Sequence, residues 1–114
     1  MSESTVHKLK TVAPWFGYVW DGTKTFEVRY DDRGFKPGDL LVLGEWSEEG
    51  GWLERFCARR VQFILTGEQW GLSKGFCVLG FNPDDTGWNY SVAHPEFNAS
   101  VKNILAITDA QEEG

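Results

Sequence analysis

Residues 36–43 constrain this chain more tightly than any other stretch. Lys36-Pro37-Gly38-Asp39 has the chemistry of a tight turn, with proline presetting the first central residue and glycine supplying positive φ at the second. Leu40-Leu41-Val42-Leu43 follows at once and is apolar on both faces. A strand alternates its side chains between two faces, so such a run demands cover above and below and belongs at the centre of a sheet. With 114 residues there is room for one domain, 1–114, built around that strand. Aromatic residues make up 15% of the chain, including six tryptophans, and large rings let a small β-structure bury much area with few side chains.

The flanking segments supply the partners. Val6-His7-Lys8-Leu9-Lys10 alternates weakly and predicts a short first strand. Thr11 to Trp20 predicts a helix of about two turns, with Pro14 in the first turn, apolar pairs Trp15/Val19 and Phe16/Trp20 four apart, and Asp21-Gly22 ending it. Lys24 to Tyr30 is the clearest strand: Phe26, Val28 and Tyr30 on one face, Thr25, Glu27 and Arg29 on the other. Beyond Leu43 the chain reaches a hairpin tip at Ser47–Gly51, where Trp46 and Trp52 are expected to pair across the strands. Trp52 to Leu65 predicts a long bent strand with a bulge near Cys57-Ala58, and Phe76 to Phe81 a further buried strand. Val101 to Thr108 suits a last strand or a short helix equally. Five to six short strands and one early helix give a mostly β (α+β) domain, with a small barrel expected rather than an open sheet.

Composition excludes several functions. No apolar run approaches a membrane span, and the polar start Met1-Ser2-Glu3-Ser4-Thr5 resembles no secretion leader, so a cytoplasmic protein is expected. Cys57 and Cys77 lie apart in apolar stretches and are expected as buried thiols. With only His7 and His94 beside them, no metal-ligand cluster has sensible spacing, and no cofactor is implied. The formal net charge of −6 argues against general gripping of long duplexes, which calls for a basic domain. Nucleic acid would have to be met through a local basic site, or by reading a small part of it such as one base.

That site has a candidate in Gly22-x-Lys24-x-x-Glu27-x-Arg29. Taken with the helix before it and with Phe35-Lys36-Pro37-Gly38-Asp39 and the apolar strand after it, this string resembles the ASCH (activating-signal-cointegrator homology) family of the PUA-like superfamily. His7-x-Leu9-Lys10, Asp32-Arg33-x-Phe35 and Val78-Leu79-Gly80-Phe81 are similar to an uncharacterised, often phage-borne subfamily. The resemblance covers about residues 6–81 and leaves 82–114 as a C-terminal extension. It implies a small PUA-like pseudo-barrel with the helix at one opening, and a cleft that binds RNA, a nucleotide or a modified nucleobase. Some relatives hydrolyse the acetyl amide of N4-acetylcytidine with a lysine matching Lys24, a threonine matching Glu27 and a glutamate further along. Lys24 matches; Glu27 puts a carboxylate where those enzymes have a hydroxyl.

Side-chain chemistry then assigns expected roles. Lys24, at the turn into the strand, is expected to meet a phosphate or polarise a carbonyl. Glu27 and Arg29 share one strand face, either as a ligand-binding pair with Glu27 accepting from a base edge or acting as general base, or as a structural ion pair at the rim. Arg55, Arg59 or Arg60 could approach them from a neighbouring strand. Trp15 is the expected stacking ring, with Phe16 and Trp20 packed against the sheet. His7 is expected to be a satisfied strand residue, although it could face the cleft; Asp32 and Arg33 either support the site or form an exposed pair of little consequence, and Ser73 and Lys74 could approach a phosphate. Three functions are in view: a binding module for RNA, a nucleotide or a modified nucleoside; a small amidohydrolase with Lys24 and Glu27 as catalytic groups; and a phage-type protein-interaction module.

Overall fold

The computed structural model describes residues 5–82 and 89–91. The segment expected at Val101–Thr108 lies outside them, as does nearly all of the extension 82–114. The described chain runs β1 (Val6–Val12), α1 (Trp15–Trp20), β2 (Phe26–Tyr30), β3 (Leu40–Ser47), β4 (Gly51–Thr66), a single 3-10 turn (Glu68–Trp70), β5 (Phe76–Phe81) and β6 (Asn89–Ser91). The domain is mostly β, with one short α-helix among the described residues.

The turn at 36–39 forms as its residues dictate. Asp39 N–H donates to Lys36 O at 3.0 Å, and Gly38 holds φ at 93°. β3 emerges into the middle of the sheet, parallel to β1 on one side and antiparallel to β4 on the other. Leu41 and Leu43 enter one buried cluster, and Leu40 and Val42 enter a second on the opposite face. Trp46 and Trp52 pair across the hairpin with ring centroids 5.2 Å apart. The long β4 bends at irregularities opposite Gly44/Trp46 and between Val61 and Phe63, while Cys57 to Arg60 pair regularly with β3. The expected bulge at Cys57-Ala58 is thus replaced by two flanking ones, one within the pairing of β4 with β3 and one within its pairing with β5.

The first strand is longer than expected and the helix shorter. Thr11 and Val12 continue β1 in register with Glu45 and Trp46, so ladder bonds to β3 override the start of a helix there. Pro14 stands at the N-cap position, after a cis peptide bond from Ala13, and α1 begins only at Trp15. It ends as expected, with Gly22 at φ 85° beyond Asp21. Phe16 and Val19 drive into the first cluster beside Leu9, Cys57, Val61 and Leu79.

The sheet is not closed into a barrel. Its strand order is β1-β3-β4-β5-β2, with β6 attached to β4. The edges β1 and β2 approach one another but share no ladder. Instead Arg29 Nη2 donates to Lys10 O at 3.0 Å and Arg33 Nη1 to Lys8 O at 3.1 Å. A gap spanned by arginine side chains is wider than the roughly 4.8 Å of a strand ladder, and this opens the expected barrel into a cleft.

β2 is also inverted with respect to solvent. Glu27 is 4% exposed and points inward, whereas Phe26, Val28 and Tyr30 point out. In register with them, Val78 and Phe76 of β5 and Phe63 and Leu65 of β4 continue an outward row without a charge.

Candidate functional site

The open gap between β1 and β2 is a cleft of about 460 Å³, within the roughly 300–1,000 Å³ usual for small-ligand sites. Lys24, Glu27 and Arg29 line it from the β2 side, Lys10, Thr11 and Val12 from the β1 side. Trp15 at the start of α1, with Phe26 and Val28, supplies the apolar walls. The four residues expected at the site, Trp15, Lys24, Glu27 and Arg29, are therefore brought to one cavity.

Glu27 organises the charges. Its Oε1 accepts from Lys24 Nζ at 2.6 Å, and its Oε2 accepts from Arg29 Nε at 3.1 Å and Nη2 at 3.0 Å. Arg29 Nη2 also reaches Thr11 Oγ1 at 3.0 Å, which locks the guanidinium between the two edges. The ion pair expected on this strand face exists, and both of its carboxylate oxygens already carry cationic donors. Three of the roughly four acceptor sites of the carboxylate are thus taken, and Glu27 is well placed to hold two cations. Among the described residues, Arg29 Nη1 and two hydrogens of Lys24 Nζ have no hydrogen-bond partner. Lys24 Nζ also lies 5.3 Å from the Phe26 ring centroid and 5.9 Å from that of Trp15. The cleft thus sets two cations against one carboxylate, in a chain whose formal charge is −6, while Lys10 lines it with its ammonium 4.1 Å from the Trp46 ring centroid.

The aromatic residues separate as expected from their positions on α1. Phe16 is 0% exposed and Trp20 packs on the core, while Trp15 is 52% exposed on the cleft wall. The other arginines are directed elsewhere. Arg55 forms a bidentate pair with Glu45 and lies over Phe16 and Trp20, Arg59 donates to the carbonyls of Ala58 and Val19, and Arg60 donates to Gly38 O. Ser73 and Lys74 are exposed in the loop before β5 and do not line the cleft.

His7 is a satisfied core residue. Its Nε2 lies 2.9 Å from Asp39 Oδ2, and its ring meets Phe35 edge-on at 4.7 Å. Burial by itself would raise the Asp39 carboxyl, but donors from Thr5 N–H, His7 and Lys36 N–H outweigh it and hold Asp39 below the usual carboxylate range. This pair anchors β1 to the turn before β3. Asp32 makes a long contact of 3.8 Å with Arg33, whose other end supports the β1 edge.

Sequence reasoning missed Lys10, Thr11 and Val12 as cleft residues because it ended β1 at Lys10. The β-branched pair Thr11-Val12, continuing the alternation, was the available signal. Among the described residues there is no group of three or more His, Cys, Asp or Glu side chains able to hold a metal, and no helix long and apolar enough to cross a membrane.

These features define a class: a small mostly-β domain with a cationic cleft between the two edges of an open sheet. The chain belongs to the family described as Domain of unknown function (DUF3850), whose model matches residues 6–81. The match holds every cleft residue. The chain is also similar to a protein of Escherichia phage P2, described as an uncharacterized 12.9 kDa protein in the GpA 3' region, with 34% identity over 61 residues. That stretch is 54% of this chain and 51% of the phage protein, so the chain spans about half the length of that relative.

Proposed function

We propose that this chain is an ASCH-like, PUA-like binding module whose cleft takes a nucleotide, a modified nucleobase or a nucleotide within single-stranded RNA. One observation carries the reading: two cations, Lys24 and Arg29, converge on one carboxylate beside an exposed tryptophan, in an otherwise acidic chain. Lys24 and Arg29, prepositioned by Glu27, supply a charged fork for a phosphate. Trp15 supplies a face on which a base stacks, a contact worth about 1–3 kcal/mol in single-strand binders. The engagement of Glu27 with two cations, through three of its roughly four acceptor sites, favours binding over an amidohydrolase in which that carboxylate deprotonates water.

Titration of nucleoside 5′-monophosphates and short single-stranded and duplex oligonucleotides, read by tryptophan fluorescence and calorimetry, tests the proposal. Lys24→Ala is expected to weaken nucleotide binding about tenfold, the loss of one charge-assisted contact. Absence of binding by every nucleotide and single strand would sink the reading. Turnover of N4-acetylcytidine that disappears in Lys24→Ala would replace it with the amidohydrolase.

A further inference from the structure

The two edges that frame the cleft differ in their main-chain groups. Antiparallel pairs alternate between residues that exchange N–H···O bonds and residues that do not. Phe81 N–H donates to Thr25 O at 2.9 Å, and Asp31 N–H donates to Gly75 O at 2.8 Å. In the register of β2 with β5, the residues bonded to β5 are therefore Thr25, Glu27, Arg29 and Asp31. The main chain of Phe26, Val28 and Tyr30 turns to the opposite edge. Tyr30 O accepts from Asp32 N–H at 3.0 Å. Phe26 and Val28 keep N–H and C=O unpaired among the described residues, and both line the cleft.

On the facing edge the situation is reversed. Leu40 N–H donates to Thr5 O, which directs the odd-numbered residues of β1 to β3 and the even-numbered ones into the gap. Arginines occupy two carbonyls of that edge: Arg33 on Lys8 O and Arg29 on Lys10 O. Those acceptors of one wall are thus taken, and the other offers a short row of alternating donors and acceptors.

We infer that this open stretch of β2 reads the base of the bound nucleotide, with Phe26 C=O accepting from it and Val28 N–H donating to it. The inference rests on the proposed binding of a nucleotide and names what selects its base: a planar ring edge with a donor beside an acceptor. Lys24 and Arg29 take the phosphate and Trp15 the ring face. A peptide added as a strand is disfavoured on the same grounds. The open edge extends over Phe26 and Val28 only, and the Arg29 bridge closes it at one end.

Residue-resolved hydrogen exchange tests this, with the four common ribonucleoside 5′-monophosphates as probes and ribose 5-phosphate as the base-free control. In the free chain the Val28 amide is expected to exchange fast, and the Glu27 and Arg29 amides, bonded to β5, slowly. At least one nucleotide should slow Val28, and ribose 5-phosphate should not. Val28→Pro removes this donor without touching the β5 ladder, and edge strands tolerate proline where the N–H faces outward. It is expected to weaken that nucleotide about five- to tenfold, whereas ribose 5-phosphate binds both chains alike. Nucleotide binding with unchanged Val28 exchange and a wild-type affinity in Val28→Pro overturns the inference and leaves the nucleotide site standing. If no nucleotide binds, both fall. Slowing of Val28 by an extended peptide and by no nucleotide assigns the edge to strand addition and overturns the inference. Should Val28→Pro fail to fold, exchange in the unaltered chain decides.

Discussion

Glu27 is the residue on which the cleft turns. Its carboxylate stands between Lys24 and Arg29, and the three bonds it accepts keep two cations close that would otherwise repel. Removing the charge while keeping the shape should separate support from chemistry. Glu27→Gln is expected to cost about 1–3 kcal/mol of stability, because two partly buried cations lose their counter-charge. Nucleotide affinity should fall less than in Lys24→Ala, by about threefold, since the cations remain but lose the charge that positions them. Thermal unfolding and calorimetry on the one variant give both numbers. A stable variant with abolished binding would give Glu27 a direct contact with ligand. Cys57 makes a second case at this scale. Burial, partly offset by Arg59, pushes its thiol up to about 12, and Cys77 is also raised by burial. The thiolate is the reactive form, so Cys57 should resist alkylation at pH 8 in the folded chain and react on unfolding. A thiol raised above its unfolded value of 9.0 keeps its proton in the fold and releases it on unfolding. Its stability contribution is full below pH 9 and is lost as pH climbs toward 12. Urea midpoints measured between pH 7 and 10.5 should fall only above about pH 9.

Among the elements, β2 departs furthest from common patterning. Antiparallel strands usually bury their apolar face and wet the polar one. In β2 the polar face is inside because Glu27 and Arg29 serve the cleft, and Phe26, Val28 and Tyr30 are left outside. Hydrophobic side chains on the two sides of the sheet should then differ sharply in what they contribute. Phe16, fully buried on α1, is expected to cost about 3–5 kcal/mol on Phe16→Ala. Phe63, 64% exposed on the outward row, should cost less than about 1 kcal/mol on Phe63→Ser. Equal losses in denaturant unfolding would show the outward row to be buried in solution. α1 has only six residues, too few to be stable alone, and holds its shape by packing Phe16 and Val19 on the sheet. Trp15 owes its place on the cleft wall to that packing.

For the whole molecule the charge balance limits how the proposed binding of nucleic acid could work. A chain of net charge −6 with a few cations in one cleft has few groups to offer phosphates. If Lys24 and Arg29 are the main phosphate contacts, the log–log dependence of single-strand affinity on salt should have a slope of about −1 to −2. Duplex binding at physiological salt should be undetectable. A slope near −5, measured by anisotropy titration across salt concentrations, would mean a far larger basic surface than the cleft.

What the amino-acid sequence determined by itself was local. The turn at Lys36–Asp39, the doubly apolar strand after it, the Trp46/Trp52 hairpin and the helix stop at Asp21-Gly22 each rest on neighbouring residues, and each was legible. Grouping Lys24, Glu27 and Arg29 was legible too, since a turn and one strand face carry all three. Only the tertiary structure decided which face of β2 is buried, because side-chain alternation defines two faces without saying which meets the core. Only long-range pairing decided that β1 runs on to Val12 against β3 and that β1 and β2 stop short of a ladder. The cleft exists because Arg29 and Arg33 reach across a gap the backbone does not close. That gap depends on where two strands distant in sequence are held, which no local pattern encodes.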